Sequence, residues 1–443
     1  MLFRTRALRT ATAIAGTAMI VTLTACSSGG GSGGGGGGAD GAVEIEWLVQ
    51  NGGSTPAMAE AMIAAFEAEN DDITVTMQTQ PGGTEGDNLM KTKLATGEMS
   101  DLFHYNSGSL FQALNPNTTL VDLSDQPWVD DLTEDFVTVV STDEGIYGAP
   151  IGSSFAGAVI YNKPIYEELG LEVPTTWDEF MANNEAIAAA GTAAPIIQTY
   201  GDTWTSQLFV LGDYANVNTA DPDWAVEYTA GNRKYAEEPA IAGFQHQQDA
   251  FDAGFFNEDY ASALYDDGIR MIATGEGAHY PILTNALATI QQNYPDNAND
   301  VGVFALPADD AANTSITIWQ PNAVYIPQTT EGEKLEAAKE FVAFMTSPAG
   351  CEVQNETLVP SGPYVTSACS VPDDVPDLIG ELQTYFDEEK TAPALEFLSP
   401  IKGPNLENIT VQVGSGISTA EEGAALYDED VKKQAQQLGL EGW

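Results

Sequence analysis

Residues 43–103 switch back and forth between two hydrophobic periods, and that alternation restricts the fold more than any other feature of the chain. Val43 to Val49 is a β-branched and aromatic run that ends in Gln50-Asn51-Gly52-Gly53. Pro56 then opens a stretch with Met58, Met62, Ala65 and Phe66 on one helical face, the spacing of an amphipathic helix. Ile73, Val75 and Met77 alternate with Thr, as a half-buried strand does. Strand, helix and strand within ~35 residues is the size of a βαβ crossover, which makes its two strands parallel. Leu89, Met90 and Leu94 continue into a second short helix ending at Gly97, and Asp101-Leu102-Phe103 reads as a third strand.

The same grammar runs on. Ala158-Val159-Ile160-Tyr161 reads as a strand, followed by a helix that stops near Gly170. Thr176 and Glu179 have the spacing of a capping box, with Trp177, Phe180, Met181, Ile187 and Ala188 as the apolar stripe behind it. Ile241, Phe244, Gln248 and Phe251 predict a helix ended by Gly254; Leu335, Ala338, Phe341, Val342 and Met345 predict another, ended before Pro348. Val301–Leu306 and Ala323–Ile326 are short runs of strand type, and the last third of the chain is mostly helical. The pattern is α/β throughout, without an internal repeat.

Charge narrows the partners. The 443 residues carry 15 Lys+Arg against 65 Asp+Glu, a formal net charge of −50, yet 43% are hydrophobic. Such a chain can build a core but offers no basic surface for nucleic acid or for an anionic membrane. Three of the basic residues, Arg4, Arg6 and Arg9, precede the uncharged stretch Ala11–Thr24. A basic start and a short apolar segment read as a secretory signal, too short for a spanning helix. It ends in Leu23-Thr24-Ala25-Cys26, which resembles the lipobox of bacterial lipoproteins, cut before a Cys that is then lipidated; the other reading is an ordinary signal with an incidental Cys. Without residues 1–25, 12 Lys+Arg remain against 65 Asp+Glu, a net charge of −53. The tract Gly29–Gly38, all glycine except Ser32, predicts a flexible leash reaching roughly 20 Å over ~15 residues. In an exported chain the remaining pair, Cys351 and Cys369, is expected as a disulfide, with two buried free thiols as the alternative.

Several segments then carry a family resemblance. Gly145-Ile146-Tyr147-Gly148-Ala149-Pro150 followed by Val159-Ile160-Tyr161-Asn162-Lys163 resembles the Gly-x-Tyr-Gly-x-Pro … Tyr-Asn-Lys signature of bacterial ABC-transporter extracellular solute-binding proteins of family 1, the maltose-binding-protein-like sugar-binding lipoproteins. Leu169-Gly170-Leu171 and Pro174–Phe180 continue it. Thr96-Gly97 with Ser100-Asp101-Leu102-Phe103, Gly275–His279 and the helix Ala337–Met345 also resemble family segments; Ser100, Glu276 and His279 depart from them. The ordered matches cover roughly residues 43–365. The resemblance implies a type II periplasmic-binding-protein-like fold, with two α/β lobes and a ligand cleft between them. The expected organisation is a signal peptide at 1–25, the lipidated Cys26 and linker at 26–41, lobe I at 42–152 plus about 320–360, and lobe II at 153–319 plus about 361–443.

Sugars present hydroxyls around flat C–H faces, so their sites need amide and carboxylate partners with aromatic platforms. Loops beyond the carboxyl ends of the strands supply them. The expected contacts are Asn51; Tyr105 and Asn106, beside His104; Ser154 and Phe155, beside Ser153; Asp202 and Trp204; Asn285, beside Thr284; Trp319 and Asn322; and Asn405, near Lys402. For any one aromatic among them, core packing is the competing role; Trp47, Trp128 and Trp177 are assigned to it.

No catalytic constellation emerges. The three His are far apart and lack H-E-x-x-H. Gly152-Ser153-Ser154-Phe155-Ala156 fails G-x-S-x-G at its last position, and Gly82–Gly86 lacks the Lys-Ser/Thr of a P-loop. Asp266-Asp267-Gly268 and Asp296–Asp300 do not fit the twelve-residue calcium loop. The expectation is a monomeric binding protein without metal or cofactor, lipid-anchored outside the cell membrane. It captures a mono- or oligosaccharide for an ABC permease. A surface-anchored glycan hydrolase, or a binder of glycerol phosphate or peptide, is the alternative; with only Arg233 and Arg270 left in the mature chain, phosphate is disfavoured.

Overall fold

The computed structural model describes residues 42–443. The signal segment, Cys26 and the glycine tract lie outside the described residues.

The opening βαβ unit forms as its periodicity demands. Strand β1 (Val43–Gln50) runs parallel to β2 (Ile73–Gln80) in full register, Val43 opposite Ile73 and Gln50 opposite Gln80. The crossover helix Thr55–Glu69, with Pro56 in its first turn, buries Met58, Met62 and Phe66. These side chains meet Phe341 of the helix Glu333–Met345, which stands edge-on to Trp47 at 5.4 Å and lies 4.9 Å from Phe66. Strand β3 (Leu102–Tyr105) adds in parallel to β1; the later strands β4 (Gly148–Pro150) and β10 (Ala323–Tyr325) complete the sheet in the order β2-β1-β3-β10-β4.

A second sheet is built around β5 (Phe155–Asn162), all eight of whose residues are buried. Antiparallel to it run β7 (Gly277–Leu283), β8 (Val301–Phe304) and β9 (Ile316–Trp319). Short β6 (Ala194–Ile196) and β11 (Thr391–Pro393) extend the edges beside β7 and β9. Thr176 and Glu179 form the capping box of the helix Trp177–Ala190. Trp47, Trp128 and Trp177 are all buried.

Two sheets with separate cores make two lobes. The chain leaves the first at Ile151–Ser154 and returns at Gln320–Asn322. Cys351, in the helix Pro348–Thr357, is joined by a disulfide to Cys369, with Cα atoms 5.3 Å apart. The sequence places the last crossing near residue 361, but the Val365 carbonyl still accepts from Thr133 N and Ser367 N still donates to Asp131 O, both on the first lobe. The helix Asp377–Asp387 then packs Leu378 and Leu382 into the second core. The segment between the two cysteines touches both lobes, since the Pro363 carbonyl accepts from Ser154 N and Val359 packs against the second core.

Candidate functional site

Parallel β1, β2 and β3 point their carboxyl ends the same way, so three loops of the first lobe open onto one side. All three meet the second lobe there. A Cβ placed on Gly53 would stand 3.3 Å from Thr289 Oγ1 and 3.5 Å from Tyr265. One on Gly83 would stand 3.3 Å from Glu407 Oε2, and one on Gly108 would lie 2.7 Å from both the Glu396 carbonyl oxygen and the Phe397 ring. At Gly108 the missing Cβ is what lets the two backbones come this close.

Between these contacts lies a mixed aromatic and carboxylate wall. Phe155 opens β5 and Trp319 closes β9; the antiparallel register sets them opposite each other, rings nearly parallel at 5° and 6.5 Å apart. The Trp319 indole N–H donates to Glu396 Oε1. The other oxygen of Glu396 lies 3.5 Å from Lys402 Nζ, with both side chains largely buried. From the first lobe the Tyr105 hydroxyl donates to Asp87 at 2.9 Å. Burial pushes the Asp87 carboxyl above its ordinary pKa, opposed by the Tyr105 hydrogen bond and by the charge of Lys402. A water-sized cavity of about 20 Å³ touches Trp319, Glu396 and Lys402. Rings, carboxylates and one ammonium can hold a polyhydroxylated molecule by stacking and hydrogen bonds, and they repel an anion.

A second wall gathers Asp202, Trp204 and Tyr265. The Trp204 and Tyr265 rings are 5.5 Å apart, and Tyr265 N donates to Asp202 Oδ2 at 2.7 Å. Burial, with Asp202 and Asp267 nearby, pushes the Asp266 carboxyl up. Asn285 is exposed just before the helix Ala286–Asn293 that carries Thr289, and Asn51 is exposed on the facing loop.

Other residues singled out by sequence have backbone or packing duties. Tyr105 is fully buried in the first core, and its hydroxyl is taken up by Asp87. His104 is buried in β3, and desolvation lowers its pKa to about 4. Thr284 accepts from and donates to Ala156 across β5 and β7. Asn106 and Asn322 offer their carbonyls to the Tyr325 hydroxyl and Ile151 N. Ser153 Oγ accepts from Ser361 N, and Ser154 N donates to the Pro363 carbonyl, so both belong to the crossing between lobes. Asn405 is exposed; its N–H donates to Asp430 and its side-chain oxygen accepts from Asn408. Conversely, nothing in the sequence singles out Asp87, Tyr265, Glu396 or Glu407. No motif marks them, and four carboxylates or phenols among so many carry no signal until the fold groups them. Among the described residues no group of three or more His, Cys, Asp or Glu is arranged to hold a metal ion.

Comparison with known proteins bears on the fold and the family. The multiple sugar-binding protein of Streptococcus mutans is 24% identical over 297 residues, covering 66% of this chain and 68% of the relative. The melibiose/raffinose/stachyose-binding protein MelE of Bacillus subtilis is 23% identical over 315 residues, covering 68% and 70%. Among solved structures, a chitin oligosaccharide binding protein superimposes with a TM-score of 0.77 at 21% identity, covering 89% of this chain and 99% of the other. The binding protein RafE in complex with raffinose does so with a TM-score of 0.72, at the same identity and coverage. The bilobed fold is therefore that of periplasmic-binding-protein-like sugar-binding proteins. Residues 51–350 match the bacterial extracellular solute-binding protein family, and the chain belongs to that family.

Proposed function

We propose that this protein is the substrate-binding component of an ABC importer, that it captures an oligosaccharide between its lobes, and that it presents the closed form to a permease. The observation that carries the reading is the parallel Phe155–Trp319 pair set beside Glu396, Lys402 and Asp87 where the lobes meet. Stacking on the rings favours the C–H faces of a pyranose, and the carboxylates favour its hydroxyls. We take Asn51, Trp204 and Asn285 as further polar and aromatic contacts for the sugar. Ligand shifts the lobes toward closure through its greater affinity for the closed form. The names of the relatives support an oligosaccharide, with raffinose, stachyose and melibiose as probes. The protein acts as a monomer on the outer face of the cell membrane, held by a lipid on Cys26.

Calorimetric titration with raffinose, stachyose, melibiose and chitobiose tests this, with chromatography of the sugar recovered afterwards. Saturable binding of at least one, returned intact, is expected. Turnover of the sugar would instead establish the hydrolase reading, and failure to bind any neutral oligosaccharide would refute the ligand class. For the anchor, Cys26→Ala should release the protein from membranes; continued tight association would refute lipidation.

A further inference from the structure

The helix Gly83–Thr96 on the first lobe begins without a cap of its own. Its N-cap is Gly82, which has no side chain to offer the unpaired N–H groups of the first turn. The missing group comes from the other lobe. Glu407 Oε1 accepts from Thr84 N at 3.3 Å, and Thr84 Oγ1 donates to the Pro404 carbonyl at 3.4 Å. Glu407 is only 6% exposed, and among the described residues no Lys or Arg forms an ion pair with it. A carboxylate removed from water without a cation needs hydrogen-bond donors and a positive potential, and a helix N-terminus supplies both.

The carboxylate is held in place from behind. Its helix, Leu406–Val413, is tied to the second lobe by Ser206 Oγ, which donates to the Glu407 carbonyl at 3.0 Å and bonds Thr410 Oγ1 at 2.7 Å. Gln247, buried beneath, donates to both the Ser206 carbonyl and the Tyr200 hydroxyl. Gly83 has φ of +66°, and a Cβ there would crowd Glu407 Oε2 at 3.3 Å. A fixed carboxylate on one lobe thus meets an uncapped helix on the other.

We infer that Glu407 is an interlobe latch, a positioning residue that caps the Gly83–Thr96 helix only when the cleft is closed and so holds the closed state without touching the ligand. The inference rests on the two-lobe fold and not on the identity of the sugar. Opening the cleft leaves the helix uncapped and the Glu407 carboxylate without the Thr84 N–H. Part of the apparent ligand affinity is then set outside the binding surface, because affinity scales with the fraction of closed protein.

The test uses closure itself, with no sugar present. In a Cys26→Ala chain, Gly53→Cys and Thr289→Cys place two thiols where the lobes touch, and the rate of their oxidative crosslinking reports the closed population. Glu407→Ala and Glu407→Gln should slow crosslinking, the alanine by about tenfold or more, the scale of a hydrogen bond to a charged group. Gly82→Asp is the second probe. Gly82 is extended, with φ −87° and ψ −173°, and its Cβ would have no neighbour closer than 3.9 Å, so Asp can cap the helix from within. It should leave the fold as stable as the parent or more so, yet slow crosslinking, because the helix no longer needs Glu407 and the two carboxylates repel. A role confined to fold stability predicts the opposite for Gly82→Asp. The inference is overturned if the parent pair does not crosslink, if Glu407→Ala and Gly82→Asp crosslink at the parent rate, or if Glu421→Ala, exposed on the same lobe, slows the reaction equally.

Discussion

Gly157→Ala isolates the packing that sets the Trp319 indole. Gly157 sits in β5 opposite Thr317 and Leu283, and a Cβ there would lie 2.5 Å from Trp319 Cζ3 and 3.0 Å from Cη2. To regain an ordinary contact the ring must withdraw by about 1 Å. It has little freedom to do so: its N–H is bound to Glu396, and its ring lies nearly parallel to that of Phe155, 6.5 Å away. The methyl is also crowded by the Gly212 Cα, 3.3 Å away. Overpacking of this kind costs about 1–3 kcal/mol, visible as a lowered urea midpoint at unchanged slope. Loss of the ring's alignment should also weaken raffinose binding by about three- to tenfold, the scale of one aromatic contact. Gly380→Ala is the counter-example. Nothing lies within 4 Å of its Cβ position and it sits inside the helix Asp377–Asp387, so it should stabilise the protein by about 0.5–1 kcal/mol. If Gly157→Ala leaves the urea midpoint, the tryptophan emission and raffinose affinity unchanged, the indole is not pinned and the platform argument fails.

Acid should destabilise the protein partly through His104. Its pKa is about 4 in the fold against 6.5 for the free side chain, so the unfolded chain takes the proton first. Stability is therefore lost as pH falls from about 6.5 to about 4, and His104→Leu should lessen the loss between pH 7 and 4.5 by about 2–3 kcal/mol in urea titrations; identical pH profiles would refute this. Reduction of Cys351–Cys369 opens a loop closed over a sequence separation of 18, which also carries Ser361 and Pro363, the partners of the crossing residues Ser153 and Ser154. The Cys351→Ala/Cys369→Ala chain should lose about 3 kcal/mol, and an unshifted urea midpoint would show the bridge to be dispensable. Glu396→Gln keeps an acceptor for the Trp319 N–H but leaves Lys402 without its counter-charge; it should admit an anionic sugar such as a glucuronide better than the parent does, and equal exclusion by both in calorimetry would rule out this charge selectivity.

Local chemistry was legible wherever a residue's neighbours in sequence decide its environment. The βαβ start, the Thr176–Glu179 cap and the helix ends at Gly97, Gly170 and Gly254, all at positive φ, follow from hydrophobic period and backbone freedom alone. The helix Ala242–Asp252 marks the limit. Ile241 and Phe244 of the expected stripe are buried, but Gln248 and Phe251 are only partly so, and His246, Gln247 and Ala250 turn inward instead. Gln247 and His246 are admitted because Tyr200, Ser206 and a Trp177 ring stacked 3.9 Å away receive them, partners tens of residues distant. Tyr105 shows the same limit: its place at the end of β3 could be read, whereas the burial of its ring depends on strands that arrive two hundred residues later.

By itself, then, the sequence determined the class of fold, an acidic exported character, the family signature and the loops from which a cleft would be drawn. Only the tertiary structure decided which groups meet there: Phe155 with Trp319, Glu396 with Lys402, Asp87 with Tyr105, Glu407 with Thr84. The division has a physical cause. Period, caps and turns are set by interactions over a few residues, whereas a carboxylate's role is set by what remains near it once water is gone. In a chain with 65 acidic residues, nothing local separates the few that lose that water from the many that keep it.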